Sequence, residues 1–133
     1  FLEMAGLDLL PEQHEDGVSL MSLLTGEKDS LEREAIYWHY PHYGNQGGTP
    51  GASIRMGDYK LINFFADKEI ELYNLRKDIS EEKDISDEKP ELATKMEKKL
   101  KQWQNQIEAK IPEPNPEYKS ADTGGNKYEN YRL

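Results

Sequence analysis

The hydrophobic pattern between Ala35 and Leu75 has the period of two that is typical of half-buried strands. Pro41 ends the first alternating run, and a glycine-rich loop at residues 42–51 follows it. Gly57-Asp58 separates the second run from the third, as a two-residue hairpin turn would, and a short turn precedes the fourth run. The pattern therefore predicts four antiparallel strands in a meander.

A helical period replaces this alternation after a charged loop at residues 76–89. Apolar residues recur every three or four positions from Leu92 to Ile111, which places them on one face of a helix. Pro90 suits the first helical turn, and Pro112 predicts that the helix ends at Ile111. The fold class is therefore predicted as α+β, a four-stranded antiparallel sheet covered by one long C-terminal amphipathic helix.

The N-terminal part of the chain shows two short apolar segments. Residues 1–10 are predicted to be the end of a helix that Pro11 stops, and residues 18–24 to form one or two helical turns closed by Thr25-Gly26. The first residues lack an initiator methionine and a signal-peptide pattern, so we expect the chain to be a piece of a longer protein.

Composition removes several classes of function. The 133 residues carry a net charge of -9, with basic residues interspersed among acids, which disfavours a nucleic-acid surface. Cysteine is absent, which excludes disulfides, cysteine-ligated zinc and thiol catalysis. No apolar run reaches the roughly 18 residues of a membrane span.

The end of the first predicted strand and the loop after it carry the candidate chemistry. His39 and His42 lie three residues apart, but a stable metal site needs three or four ligands, so no metal site is predicted. Tyr43, Asn45 and Gln46 belong to the glycine-rich loop, whose backbone and side chains offer hydrogen bonds to a ligand. The same glycines are equally explained by the turns that a loop requires.

Aromatic residues surround this strand end. Core packing accounts for Ile36, Trp38 and Tyr40, whereas Tyr37 and His39 on the other face have no core explanation and would suit a sugar or aryl ligand. No serine lies near a histidine, no Gly-x-Ser-x-Gly turn occurs, and the paired carboxylates fall in charged loops. We therefore expect no catalytic residues in this chain.

Specific segments occur in a fixed order along the chain. They are Asp16 to Leu20, Arg33 to Tyr43 (REAIYWHYPHY), Gly51 to Ile62 (GASIRMGDYKLI), Glu71 to Leu75 (ELYNL), and a helix opened by Pro90-Glu91-Leu92 that contains Trp103. This series resembles the C-terminal subdomain of the arylsulfatase-type sulfatases, in the alkaline phosphatase-like superfamily. Two departures, Ser22 and Ile79 where the family often has proline, lie in connecting segments.

The resemblance implies a parent that hydrolyses sulfate esters in a large α/β domain. That domain would hold calcium and a formylglycine made from Cys or Ser in a Cys/Ser-x-Pro-x-Arg motif. This sequence contains neither form of the motif, so no nucleophile and no calcium ligand is carried over, and we expect the chain alone to be inactive. The implied partners are the N-terminal catalytic domain of the same protein and a sulfated small molecule or glycan.

The resemblance also implies a division of the chain and a role for its loops. Residues 1–30 would be the end of the catalytic-domain region and a linker, residues 31–111 the sulfatase C-terminal subdomain, and residues 112–133 an extended or disordered tail. The sheet would pack on the catalytic domain, and the family resemblance implies export to the periplasm, the medium or the lysosome. The substrate-pocket rim is assigned to His39, His42, Tyr43, Asn45 and Gln46.

Two alternatives remain open at this point. The chain could be a non-catalytic module that binds a protein or a carbohydrate, which an upstream sequence without Cys/Ser-x-Pro-x-Arg would favour. The parent could instead be a phosphatase or phosphonate hydrolase of the same superfamily, although the Tyr-Trp-His-Tyr-Pro-His segment favours the sulfatases.

Overall fold

The computed structural model describes residues 1–14, 16–44, 48–66, 69–114 and 131–132. These residues form two compact units, Phe1–Arg33 and Glu34–Leu133. Among them, no helix is long and apolar enough to cross a bilayer.

The described residues of the first unit form one short helix, α1 (Met21–Leu24), which confirms the predicted helical turn. The predicted helix end before Pro11 is wrong in its position. The Leu7 N–H donates to the Leu2 carbonyl and the Gly6 N–H to the Glu3 carbonyl, with Gly6 at φ +67°, so the turn closes at Gly6. This pair of bonds is the usual cap of a helix end, and glycine adopts the left-handed conformation that it requires without steric cost.

The second unit is built on a four-stranded antiparallel sheet with the order β1-β2-β3-β4, as predicted. The strands are β1 (Ile36–Tyr40), β2 (Gly51–Met56), β3 (Tyr59–Phe64) and β4 (Ile70–Asn74). The hairpin between β2 and β3 turns at Gly57, whose φ is +57°. Because glycine has no Cβ, it takes this conformation at little cost, which is why the dipeptide marked the turn in the sequence.

One helix, α2 (Pro90–Gln106), covers a single face of this sheet, which confirms the α+β prediction. Ile54, Leu61 and Leu72 are register partners across β2, β3 and β4, and all three are fully buried against Met96 and Leu100 of the helix. Each such side chain contributes about 1.5–3 kcal/mol through removal of apolar surface from water. These five residues form the centre of the core of the second unit, which also includes Ala52 and Ala93.

The helix ends at Gln106, five residues before the predicted end at Ile111. Glu108 adopts a left-handed φ of +51°, and the Ala109 N–H donates to the Gln104 carbonyl at 2.9 Å, which closes the helix with a capping turn. The chain then changes direction, so Ile111 is 47% exposed instead of extending the buried face. The prediction failed because glutamate gives no sequence signal for this backbone conformation.

The acidic loop at residues 76–89 returns along the outer edge of β4. The Ile85 N–H donates to the Leu72 carbonyl at 2.9 Å, and the Leu72 N–H donates to Asp84 Oδ1 at 2.9 Å. Lys60 Nζ lies 2.8 Å from both carboxylate oxygens of Glu81. The two bonds to Leu72 occupy backbone groups that a bare sheet edge would present to another chain.

The tail predicted at residues 112–133 lies mostly outside the described residues. Within the described part, β5 (Glu113–Pro114) pairs with β6 (Tyr131–Arg132) in antiparallel fashion. The prediction of an extended or disordered tail therefore stays a prediction.

The Asp84 carboxylate is predicted to stabilise the fold in a pH-dependent way. Burial raises the pKa of Asp84, whereas hydrogen bonds from the Leu72 and Ser86 N–H groups and from the Ser86 hydroxyl lower it. The combined effect of the hydrogen bonds is larger, so the pKa lies below its ordinary value. A lowered pKa means that the stabilisation is present above the unfolded pKa of about 3.9 and is lost as the pH falls through the folded value. Asp84→Asn should therefore lower the free energy of unfolding by about 1 kcal/mol at pH 7 in urea titrations.

The control is Asp87→Asn, which makes the same charge change in the same exposed loop. It should alter the free energy of unfolding by less than about 0.5 kcal/mol. The difference between wild type and Asp84→Asn should shrink as the pH approaches 3. Equal stability of the two variants at pH 7 would contradict the role given to Asp84.

Candidate functional site

The predicted site residues lie where β1 ends and the chain enters the loop to β2. His39 is inside β1, whereas His42 and Tyr43 follow Pro41 in the loop. Asn45 and Gln46 lie outside the described residues. The loop is closed on either side of them by a hydrogen bond from the Gly44 N–H to the Gly48 carbonyl at 3.1 Å.

The two faces of β1 are the reverse of the sequence prediction. Tyr37 pairs with Ile54 and His39 with Ala52, both of which are buried under α2, so Tyr37 and His39 face the helix. The side chains that core packing was expected to explain are exposed by 40%, 49% and 56%: Ile36, Trp38 and Tyr40. Alternation identifies two faces but does not say which one is covered, and here the register with β2 decides.

Tyr37 fixes β1 to the helix through an aromatic stack. Its ring lies parallel to the indole of Trp103, with centroids 4.9 Å apart and an angle of 10° between the planes. Next to it, Lys99 forms an ion pair with Glu34, and the hydrogen bond from Lys99 lowers the pKa of the Glu34 carboxyl. The two contacts join β1 and the residue two positions before it to α2, across residues far apart in sequence.

His39 is also held on the helix side, at both ring nitrogens. Nδ1 lies 3.2 Å from the Gln104 side-chain nitrogen, and Nε2 lies 3.0 Å from the Lys110 carbonyl oxygen. An amide N–H donates to Nδ1 only if that nitrogen is unprotonated, so this arrangement assigns the proton to Nε2, which donates to Lys110. The Phe65 ring packs at 5.4 Å with a tilt of 46°.

His42 lies on the opposite side of the strand from His39. Its side chain is exposed, and its ring meets the ring of Tyr40 edge to face, with centroids 5.4 Å apart and an angle of 77°. The two histidines therefore do not converge on one point. Among the described residues, no group of three or more His, Cys, Asp or Glu side chains could hold a metal ion.

Gln104 is the site residue that the sequence reasoning missed. It is the buried polar side chain of the described residues, at 7% exposure, and it lines the interface between α2 and β1. It follows Met96 and Leu100 at intervals of four, so the helical period already places position 104 on the covered face. A polar residue at a predicted core position was the available signal, because a buried amide requires a partner.

The open face of the sheet, opposite α2, is rich in large apolar side chains at its β1 side. Trp38 lies in the same cross-strand row as Ile62, and Tyr40 lies in the same row as Phe64. We call this surface, formed by these four residues and Ile36, the open aromatic face. His42 borders it through its contact with Tyr40.

The two histidines are predicted to differ in their effect on stability. His39→Ala should lower the free energy of unfolding of the 133-residue chain by about 2 kcal/mol, because it leaves the buried Gln104 amide without its partner. His42→Ala should change it by less than about 0.5 kcal/mol, because this side chain is exposed. Urea unfolding followed by tryptophan fluorescence measures both, and equal losses would contradict the placement of His39.

Comparison with known proteins identifies the family of this chain. The family model described as N-sulphoglucosamine sulphohydrolase, C-terminal, matches residues 1–106. No curated protein matches the sequence.

Three solved structures illustrate the likeness. One, solved with its substrate D-glucosamine-2-N,6-O-disulfate, is 28% identical, with a TM-score of 0.65 over 80% of this chain and 22% of that one. Another, Ps i-CgsB in complex with k-i-k-neocarrahexaose, is 26% identical, with a TM-score of 0.61 over 77% and 22%. A 2-O GAG sulfatase at 22% identity shares the fold, with a TM-score of 0.67 over 81% and 23%.

This chain thus spans less than a quarter of the length of the structures that it matches. The match of the family model extends over most of the sequence and includes the four strands and α2. The chain belongs to the N-sulphoglucosamine sulphohydrolase C-terminal family and is a C-terminal subdomain of the sulfatase family.

Proposed function

We propose that this chain is the C-terminal portion of a sulfatase that hydrolyses sulfate esters, and that it supplies one rim of the substrate pocket and a packing surface for the catalytic domain. The observation that carries this proposal is the position of His42 at the border of the open aromatic face. If the open aromatic face docks on the catalytic domain, the loop after β1 would lie at the edge of the substrate pocket of that domain. Family membership supplies the class of reaction.

The open aromatic face is suited to a permanent interface. Trp38 and Tyr40 are about half exposed. Large aromatic side chains contribute most to the free energy of binding when a partner buries them. Ile62 and Phe64 extend the same apolar surface across the sheet. The proposed occupant is the N-terminal catalytic domain of the same protein, since the part that this chain matches makes up only 22% of each of two related structures.

The loop after β1 has the chemistry of a rim that contacts a sulfated ligand. His42, Tyr43, Asn45 and Gln46 offer imidazole, phenol and amide groups, which hydrogen-bond to sulfate and sugar oxygens. His39, which was assigned to the same rim, would act from the helix side, where its ring nitrogens are engaged. The neighbours solved with a sulfated glucosamine and with a carrahexaose support a sulfated small molecule or glycan as the substrate class.

The reaction itself would take place on groups outside this sequence. No cysteine and no Ser-x-Pro-x-Arg occurs here, so the formylglycine and the calcium ligands are proposed to belong to the catalytic domain. The chain alone is accordingly proposed to be inactive. The proposed localisation follows the family: export to the periplasm, the medium or the lysosome.

Rim variants of the full-length parent test this function. His42→Ala and Asn45→Ala should each lower kcat/KM for D-glucosamine-2-N,6-O-disulfate about tenfold, mainly through KM, because they remove contacts to the part of the substrate beyond the scissile sulfate. A small aryl sulfate should be affected less than twofold, since it does not extend to the rim. Matched controls are His14→Ala and Asn105→Ala, which truncate exposed residues of the same types elsewhere.

Unchanged kcat/KM for both rim variants would contradict the rim assignment. The isolated chain with calcium should show no turnover of an aryl sulfate, and turnover that scales with its purity would contradict the division of labour. A parent that hydrolyses neither sulfate and lacks Cys/Ser-x-Pro-x-Arg upstream would favour the non-catalytic binding module instead.

A further inference from the structure

Gln104 occupies a position where an apolar side chain would pack without desolvation cost. It continues the buried row of Met96 and Leu100 on α2, and Phe65 lies close by on the ring of His39. Burial of an amide is unfavourable unless the amide is hydrogen-bonded. Its contact with His39 Nδ1 at 3.2 Å satisfies one donor of the amide, and that contact gives the side chain a directional role that leucine would lack.

The His39 ring connects two parts of the molecule that the capping turn brings together. Through Nδ1 it binds the Gln104 side chain, and through Nε2 it binds the Lys110 carbonyl at 3.0 Å, beyond the end of α2. The backbone carbonyl of Gln104 accepts a hydrogen bond from the backbone N–H of Ala109 in the same turn. Two hydrogen bonds in fixed directions, with the Phe65 ring packed beside them, hold the imidazole in one orientation.

The fixed imidazole lies next to the end of the strand. His39 and Tyr40 are the last two residues of β1, and Tyr40 carries the ring against which His42 packs. A shift of His39 therefore moves the residues that precede the loop. Residues that hold a contact group in place affect binding even though they do not touch the ligand, because a displacement of about 1 Å is enough to weaken it.

We propose that Gln104 is a positioning residue for His42 of the substrate-pocket rim, and that it acts on His42 through the His39 imidazole and Tyr40. This inference rests on the proposed function of His42 in that rim. Gln104 contacts no substrate in this account. Its amide keeps Nδ1 of His39 as an acceptor and thereby keeps the Nε2 proton directed at Lys110.

The test compares two glutamines of the same helix in the full-length parent. Gln104→Leu removes the amide while it keeps a side chain of similar size, and Gln102→Leu makes the same change at an exposed position. Gln104→Leu should raise KM for D-glucosamine-2-N,6-O-disulfate about fivefold with kcat within twofold of wild type. Gln102→Leu should leave both constants unchanged, and a small aryl sulfate should show no rise in KM with either variant.

A double-mutant cycle with His42→Ala separates positioning from a general loss of structure. If Gln104 acts through the rim, its replacement should add less than twofold to the KM of His42→Ala. If the increases in KM caused by Gln104→Leu and His42→Ala multiply in the double variant, the two residues act independently and the inference is overturned. Gln104→Met serves as a second variant, because methionine fills irregular core gaps, and failure of both variants to fold would also overturn it, since Gln104 would then be a folding residue.

The outcomes also distinguish this inference from the proposed function. A normal KM for His42→Ala would overturn the rim itself, and this inference with it. A raised KM for His42→Ala together with a normal KM for Gln104→Leu would leave the rim standing and overturn only the role of Gln104.

Discussion

The packing of α2 on one face of the sheet is the interaction on which the rest of the structure depends. Ile54, Leu61 and Leu72 form a continuous row across three strands and bury against Met96 and Leu100. Because strand residues alternate between faces, covering one face with the helix leaves the other to be covered by something else or exposed to water. The acidic loop binds the backbone of β4, and the largest exposed apolar side chains of the sheet belong to β1.

Because α2 covers only one face of the sheet, the two histidines have different surroundings. His39 faces the helix and joins the end of β1 to the capping turn of α2 through Gln104 and Lys110. His42 lies past the end of the strand, where it borders the open aromatic face. In the proposed sulfatase, one histidine holds the rim in place and the other contacts the ligand. The proposal thus places stability and substrate recognition within four consecutive residues of the chain.

The elements were predictable from the sequence because hydrophobic period is a local property, and all four strands and α2 have it. The covered face of β1 was not predictable, because aromatic residues occupy both sides and only the register with β2 decides. The end of α2 was missed because the left-handed turn is made by Glu108. Gln104, in contrast, could have been found, since a polar side chain on a buried helical period signals a partner. The assignment of Asn45 and Gln46 to the rim is based on the family resemblance, because both lie outside the described residues.

The most direct test of the central claim is hydroxyl-radical footprinting of the two tryptophans, in the 133-residue chain and in the full-length parent. Trp38 lies on the open aromatic face, whereas Trp103 belongs to α2 and is stacked on Tyr37, on the covered face of the sheet. If the open aromatic face docks on the catalytic domain, Trp38 should be oxidised several-fold more slowly in the full-length protein, and Trp103 equally in both. Equal oxidation of Trp38 in the two proteins, with Trp103 unchanged, would contradict the account.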